Sequence, residues 1–212
     1  MSIIQSNIFK IKQQIAELSS HTSLIAVSKH RTSDEIIEAI NSGQQIFGEN
    51  RVQETLSKWP MIKQQYPDVK IHLIGPLQTN KVKEAVSIFD VIEVVDRAKL
   101  CKALAKEMLL QNKTLDCLIQ VNTGIEPQKA GIEPENTSAF IKYCAAEGLI
   151  IKGLMCIPPA NEPPKKHFRI LQNLAQENNL PVLSMGMSND YIQAVKCGAT
   201  HIRVGTAIFG VR

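Results

Sequence analysis

The strongest constraint on the fold is a regular alternation of short apolar runs and helical segments along the chain. Eight runs have the length of buried strands: Leu24–Val27, Ile46–Gly48, Ile71–Ile74, Val91–Val95, Leu115–Val121, Ile151–Met155, Val182–Ser184 and His201–Val204. Seven segments with helical spacing separate them: Thr32–Gly43, Glu49–Tyr66, Thr79–Val86, Asp96–Leu110, Glu133–Ala146, Pro164–Asn178 and Ser188–Lys196. We expect a capping box of Thr32 and Glu35 to open the first, Pro60 to end or kink the second, and Asp96 to cap the fourth. No two runs are joined by a two-residue hairpin turn. The pattern therefore predicts parallel strands connected by crossover helices.

Eight parallel strands are the number that closes a barrel, so we expect a single-domain (β/α)8 TIM-type barrel. A doubly wound open sheet is the alternative, because strand counting is least certain near the chain ends. Isoleucines at helical spacing between Met1 and Leu18 predict one extra amphipathic helix before the first strand. The 212 residues suffice for one sizeable core, and we expect residues 1–212 to form one domain.

Composition narrows the class of function. The chain is 44% apolar and 21% charged, as is usual for globular proteins, and no apolar run approaches a membrane span. The amino terminus does not resemble a signal peptide, and the five cysteines form no paired or metal-ligating pattern, so we expect a cytoplasmic protein with reduced thiols and no metal. The net charge of +4 is dispersed, which argues against nucleic-acid binding.

Lys29 is the leading candidate for chemistry. It follows the apolar run Leu24–Val27 and Ser28, at the carboxyl end of the first predicted strand. Ligands of parallel α/β proteins bind beyond the carboxyl ends of the strands, so this amine is expected to point into a site. A lysine placed in this way can form a Schiff base with a carbonyl compound. The alternative is an ordinary solvated lysine that ends a strand.

Two segments near the end of the chain predict a phosphate site. Ser184-Met185-Gly186-Met187-Ser188 follows the seventh strand, and Arg203-Val204-Gly205-Thr206 follows the eighth. Loops after these strands often bind phosphate in α/β barrels, through backbone N–H groups and hydroxyls. The same residue types also favour ordinary caps and turns. Together with Lys29 they suggest a phosphorylated aldehyde held as an imine, either pyridoxal phosphate or the substrate of a class I aldolase.

Six motifs in one order carry a resemblance to a known family. They are Ala26-Val27-Ser28-Lys29, Phe47-Gly48-Glu49-Asn50-Arg51-Val52-Gln53-Glu54, His72-Leu73-Ile74-Gly75-Pro76-Leu77-Gln78-Thr79-Asn80-Lys81, Gly153-Leu154-Met155-Cys156-Ile157-Pro158, Ser184-Met185-Gly186-Met187-Ser188-Asn189-Asp190 and Arg203-Val204-Gly205-Thr206-Ala207-Ile208-Phe209-Gly210. With these motifs the chain closely resembles the pyridoxal phosphate homeostasis proteins. Any one motif would be weak, but six in order are highly specific.

This resemblance implies a barrel similar to the amino-terminal domain of alanine racemase, with pyridoxal 5′-phosphate bound covalently to Lys29. It also implies roles for six further residues: Asn50 at the ring hydroxyl, Ser184, Gly205 and Thr206 at the phosphate, Arg203 at the pyridine nitrogen, and Met155 along the ring. The chain departs from the family pattern at Thr32, where a proline is frequent. That departure concerns the shape of the loop after Lys29 and not the lysine itself.

Two functions remain open at this point. The first is a non-catalytic carrier, which binds pyridoxal phosphate covalently but reversibly, limits the free aldehyde and releases it to apoenzymes.

 The second is an enzyme, a racemase or another imine catalyst. An electron-sink mechanism needs a protonated pyridine nitrogen, which a guanidinium such as Arg203 opposes. A racemase also needs a second acid/base group, which alanine racemase takes from an added β-domain, and this chain ends two residues after the last motif. The carrier is therefore the predicted function, acting as a monomer.

Structural roles are predicted for most of the other polar residues of the motifs. Glu49 and Glu54 are expected to complement a helix dipole, and His72 to be a core histidine with its hydrogen bonds satisfied. His30 is expected to be solvated, because strand alternation directs it away from Lys29. Three residues of the third motif, Gln78, Asn80 and Lys81, are given no role.

Overall fold

The computed structural model describes residues 2–210 and shows a closed barrel of eight parallel strands in the order β1 to β8. The strands are β1 Ser23–Val27, β2 Ile46–Glu49, β3 Lys70–Leu73, β4 Val91–Val95, β5 Asp116–Val121, β6 Ile150–Cys156, β7 Val182–Ser184 and β8 His201–Val204. The pairing of β1 with β8, from Ser23 opposite His201 to Ala26 opposite Val204, closes the barrel. The predicted (β/α)8 barrel is confirmed, and the open sheet is excluded.

Helices surround the barrel and connect its strands. They are α1 Ile3–Ala16, α2 Ser33–Asn41, α3 Val52–Gln65, α4 Val82–Ile88, α5 Ala98–Leu110, α6 Thr137–Ala146, α7 Pro164–Glu177, α8 Tyr191–Lys196 and α9 Thr206–Phe209. Short 3₁₀ turns at Thr79–Lys81 and Pro134–Asn136 precede α4 and α6. The extra amino-terminal helix, α1, buries four isoleucines at helical spacing and contacts α2, α8 and α9.

The side chains of these short strands are buried on both sides of the sheet. Fully buried residues such as Ile25, Phe47 and Leu73 belong to one continuous core that also includes the inner faces of the helices. Burial on both faces explains why most residues of these strands are apolar. Since every strand runs in the same direction, all eight carboxyl ends meet at one face of the barrel.

Helix boundaries differ from the sequence predictions at three places. Of the two outcomes expected at Pro60, an end of α3 is excluded, since the helix continues through Pro60 to Gln65 with its neighbour Trp59 fully buried against the barrel. Asp96 does not cap α5; its carboxylate pairs with Arg97, which itself occupies the N-cap position. The helix predicted to open at Ser188 begins only at Tyr191, after a turn. Tertiary burial overrides a proline's local preference in the first case.

The capping box predicted at the start of α2 is confirmed. The Thr32 hydroxyl accepts a hydrogen bond from the Glu35 amide (3.2 Å), and the Glu35 carboxylate accepts one from the Thr32 amide (2.8 Å). This reciprocal pair satisfies two helix-terminal N–H groups. Among residues 2–210, no helix is long and apolar enough to cross a membrane.

Candidate functional site

A large cavity opens at the carboxyl ends of the strands. Its volume is about 1130 Å³. Five of the seven residues predicted to hold the cofactor line its wall: Lys29, Asn50, Arg203, Gly205 and Thr206. They follow or belong to strands β1, β2 and β8, which are neighbours in the closed barrel. Barrel closure therefore brings the first and last strands of the sequence to one site.

Lys29 lies in a tight turn directly after β1. The Arg31 amide donates a hydrogen bond to the Ser28 carbonyl (3.1 Å), which closes the turn around Lys29 and His30. His30 has a left-handed backbone with φ of 60°, and its side chain is exposed, as predicted. Within the part of the chain that the structure describes, the Lys29 amine has no hydrogen-bond or salt-bridge partner. It is therefore available to a ligand in the cavity.

The corner of the cavity near Lys29 has the features of an anion site. Gly205 packs so closely that a β-carbon there would lie 3.2 Å from Cβ of Val27, at the end of β1. Thr206 begins α9, where backbone N–H groups of the first turn lack helical acceptors. The Ser188 hydroxyl, from the loop after β7, lies 3.5 Å from the Ala207 amide and also lines the cavity. Hydroxyls from two loops thus meet near one helix start.

The other two predicted residues lie elsewhere. Met155 and Ser184 are fully buried and do not line the cavity. The Ser184 hydroxyl donates to Glu93 (2.6 Å) and accepts from the Arg203 guanidinium (2.7 Å), so it is already engaged inside the barrel. The geometry therefore does not support Ser184 as a phosphate ligand. Ser188, four residues later in the same motif, lines the cavity instead, and the sequence did not distinguish the two serines because both lie close to the end of β7.

A buried polar cluster fills the barrel beneath Arg203. Glu93 is fully buried on β4, and its carboxylate accepts hydrogen bonds from Nδ1 of His72 (2.6 Å) and from Ser184 (2.6 Å). Strands β4 and β7 are not neighbours, so the contact between Glu93 and Ser184 crosses the barrel interior. The guanidinium of Arg203 also donates to the Cys156 carbonyl (2.8 Å). The cluster fixes Arg203 at the cavity floor, and His72 is confirmed as a core histidine with a partner.

The electrostatics of this cluster favour a charged carboxylate. Burial alone would raise the pKa of Glu93, but the hydrogen bond and charge of His72, with Arg203 and Ser184, lower it below its usual range. His201 lies nearby, with its ring centroid 5.9 Å from that of His72. Burial lowers the pKa of His201, and the charges of His72 and Arg203 lower it further, against the opposing effect of Glu93.

These pKa directions predict that acid destabilises the protein. Both groups have folded-state pKa values below their ordinary ones, so the unfolded chain binds more protons and the stability is lost as pH falls. For His201 the loss begins at about pH 6.5, and for Glu93 at about pH 4.3. We expect the urea midpoint to fall between pH 7.5 and pH 5.5, and His201→Gln to reduce this slope. An unchanged slope in His201→Gln would contradict the assignment.

Of the two glutamates of the second motif, Glu49 is placed differently from the prediction and Glu54 agrees with it. Glu49 is fully buried between β2 and α3, where it accepts hydrogen bonds from Trp59 (2.9 Å) and Ser28 (2.6 Å), so it is not a surface complement to a helix dipole. Glu54 does lie in the first turn of α3, but it binds the His30 amide and Lys58 (2.9 Å). Both carboxylates therefore surround the turn that carries Lys29.

The third motif forms the rim of the barrel face. Gln78 and Asn80 are exposed, and Lys81 pairs with Glu84 at 3.9 Å. Arg97 holds this loop by donating to the Leu77 carbonyl (2.8 Å). Within residues 2–210, no group of three or more His, Cys, Asp or Glu side chains could hold a metal ion. The loop supplies no ligand to the cavity corner at Lys29.

A parallel barrel with a cavity-lining lysine after β1 and hydroxyl-bearing loops after β7 and β8 defines a class, that of the alanine racemase amino-terminal barrels. The family model described as "Alanine racemase, N-terminal domain" matches residues 2–212. The chain belongs to the pyridoxal phosphate homeostasis protein family. It is 36% identical to the Pasteurella multocida protein of that name, over 99% of this chain and 94% of the relative.

Two further comparisons agree with this family. The chain is 37% identical to the pyridoxal phosphate homeostasis protein of Aquifex aeolicus, over 100% of this chain and 96% of the relative. It is also similar to PipY of Synechococcus elongatus, solved with PLP bound, with a TM-score of 0.86 and 34% identity over 98% of this chain and 100% of that one. The family resemblance inferred from the six motifs is thereby confirmed.

Proposed function

We propose that this protein binds pyridoxal 5′-phosphate in the cavity, holds it covalently through Lys29 and releases it to apoenzymes, and that it is a carrier in cofactor homeostasis with no substantial turnover. The observation that carries the proposal is the Lys29 amine, which has no partner among residues 2–210 and faces a cavity that Arg203 and Thr206 also line. The names of the relatives and the PLP-bound PipY structure support it. When bound, the cofactor supplies an aldehyde that condenses with a primary amine, forming a C=N bond and releasing its oxygen as water.

The residues present fit such a ligand at each of its ends. Hydroxyls of Ser188 and Thr206, with N–H groups at the start of α9, suit a phosphate dianion. Lys29 suits the aldehyde, and the side chain of Asn50 suits the ring hydroxyl. A guanidinium has five N–H donors and no acceptor, so Arg203 retains donors for the cavity after binding Ser184 and Cys156. We assign no cofactor contact to Met155.

Arg203 is also the reason for proposing a carrier and not a racemase. Its guanidinium can donate to a ring nitrogen but cannot accept a proton, and the buried carboxylate of Glu93 holds it in place through Ser184. Protonation of that nitrogen strengthens the cofactor as an electron sink for carbanion chemistry. A donor fixed at this position opposes it. The chain is thus suited to holding the cofactor and not to activating an amino acid.

We further propose a monomer in the cytoplasm. The five cysteines are all free and buried. Burial raises the pKa of Cys156 to about 12, so its thiol is unreactive near neutral pH. Such thiols suit a reducing compartment. Analytical ultracentrifugation of the purified chain tests the monomer, and fractionation of cells tests the location.

The proposed function is tested by turnover and by transfer. Enantiomer-resolved assays with alanine, serine and other amino acids, with deuterium wash-in at the α-carbon, are expected to show exchange no faster than with free cofactor. Transfer of the bound cofactor to an apoenzyme is expected in the same preparation. Turnover near the typical enzyme value of about 10 per second on any of these amino acids would defeat the carrier proposal.

Alanine substitutions test which hydroxyl groups bind the phosphate of the cofactor. Thr206→Ala and Ser188→Ala are each expected to weaken pyridoxal phosphate affinity roughly ten- to a hundredfold, the cost of a hydrogen bond to a charged group. Pyridoxal, which lacks the phosphate, is expected to bind these variants as it binds the wild type. Ser184→Ala is expected to weaken both compounds alike, because its hydroxyl holds Arg203. Equal losses for both compounds in Thr206→Ala would assign its hydroxyl a structural role.

A further inference from the structure

The turn that carries Lys29 is held from both sides by charged groups on β2 and α3, of which one is fully buried and two are partly buried. These are Glu49, Glu54 and Lys58, and we call them the Lys58 network. We propose that the Lys58 network positions the Lys29 amine for attachment of the cofactor. This inference rests on the proposed function and adds positioning residues to the same site.

Lys58 holds the residue before Lys29. Its side chain reaches from α3 into the interior with only 9% of its surface exposed. Its amine donates to the Ser28 carbonyl (2.8 Å) and lies 2.9 Å from carboxylate oxygens of both Glu49 and Glu54. The same Ser28 carbonyl accepts the hydrogen bond that closes the turn. If Lys58 were displaced, the Ser28 carbonyl, which accepts the hydrogen bond that closes the turn, would no longer be held in place by the Lys58 amine.

The two carboxylates hold the turn at further points. Glu49 accepts a hydrogen bond from the Ser28 hydroxyl (2.6 Å), and Glu54 accepts one from the His30 amide. His30 has a φ of 60°, which is uncommon for a residue other than glycine, so this backbone needs support from its surroundings. The residues before and after Lys29 are thus held by hydrogen bonds, while the Lys29 amine has no partner in the described part of the chain.

Stability alone is a poor explanation for these buried charges. Replacing buried ion pairs with apolar groups of similar size often leaves a protein equally stable, because desolvation of the charges offsets their attraction. Lys63 offers a comparison on the same helix. It donates to the Val69 carbonyl (2.6 Å) and pairs with Asp90 (3.1 Å), but at the amino-terminal ends of the strands, away from the cavity. Lys63 and Lys58 therefore make similar contacts with different neighbours.

The experiment compares Lys58→Met and Glu54→Ala with the matched controls Lys63→Met and Glu84→Ala, in the cofactor-free full chain. The rate of covalent attachment after mixing with pyridoxal phosphate is followed by absorbance, and borohydride trapping with peptide mapping confirms Lys29. Binding of pyridoxine 5′-phosphate, which lacks the aldehyde, reports the non-covalent affinity. Hydrogen exchange of the His30 amide reports the turn itself without any ligand.

We expect Lys58→Met and Glu54→Ala to slow attachment about tenfold and to speed exchange of the His30 amide, as the loss of a charge-assisted hydrogen bond predicts. Pyridoxine 5′-phosphate affinity is expected to stay at the wild-type level, and both controls to behave like the wild type. If Lys58→Met fails to fold, Lys58→Met/Glu49→Gln, which removes both buried charges, takes its place.

Attachment that is equally fast in Lys58→Met and Lys63→Met would overturn the inference, as would equal losses of attachment and of pyridoxine 5′-phosphate affinity. Failure of the proposed function is distinguishable from both outcomes. In that case the wild-type chain itself would show no attachment at Lys29, whatever the variants do.

Discussion

Lys29→Ala is expected to abolish covalent attachment of pyridoxal phosphate and to leave the fold intact. The Lys29 amine is the group that faces the cavity corner without a partner in the described residues, so no neighbour can replace it. Partly exposed at a turn, the side chain contributes little packing, and the free energy of unfolding is expected to change by less than about 0.5 kcal/mol. Borohydride reduction with peptide mapping, together with urea unfolding, measures both effects.

Lys129→Ala is the control for this prediction. Lys129 also lines the cavity, but its amine is bound to Glu126 (2.6 Å) and lies 3.4 Å from the Pro158 carbonyl. Its removal is expected to leave attachment at Lys29 unchanged. A pyridoxyl group found mainly on Lys129 or Lys81 in the wild-type protein would show that the assignment of Lys29 is wrong.

Glu93→Ala is expected to destabilise the protein by about 3 to 5 kcal/mol, the usual cost of removing one partner from a buried charged cluster. The substitution leaves His72, Ser184 and Arg203 buried without the carboxylate that accepts from the first two. Urea unfolding at pH 7.5 measures the change. The same variant is expected to lose cofactor affinity, because Arg203 is no longer held at the cavity floor.

Glu84→Ala and Glu93→Gln are the comparisons for the expected loss of stability. Glu84 is a partly exposed glutamate whose ion pair with Lys81 is 3.9 Å long, and its loss is expected to cost less than about 0.5 kcal/mol. Glu93→Gln keeps an acceptor and is expected to fall between the two alanine variants. If Glu93→Ala were as stable as Glu84→Ala, the buried cluster would not hold the barrel interior together.

The fold was predictable because its strands and helices follow from local residue patterns in the sequence. Strands β4, β7 and β8 have the bounds that their apolar runs predict, and the capping box at Thr32 begins α2. Predictions failed where a neighbour in space outweighs the local signal. Helix α3 continues through Pro60 because the neighbouring Trp59 is buried. The Asp96 carboxylate, which was expected to cap α5, pairs with Arg97 instead.

The candidate site was predictable to the extent that it follows from strand ends. Lys29, Asn50, Gly205 and Thr206 all come directly after strands, so a parallel barrel brings them to one face. The sequence did not decide between Ser184 and Ser188. Both are close to the end of β7, and only the structure shows that the Ser184 hydroxyl is already hydrogen-bonded inside the barrel.

By itself the sequence determined the strand number, the parallel barrel and the lysine at the end of β1, because the periodicity of apolar residues and the position of a residue relative to a strand are local properties. The tertiary structure decided which side chains meet. Glu93 and Ser184 are 91 positions apart and touch only across the closed barrel. Lys58 reaches the turn of Lys29 only because α3 packs beside β1 and β2. Such contacts depend on the closure and stagger of the barrel, which no local pattern encodes.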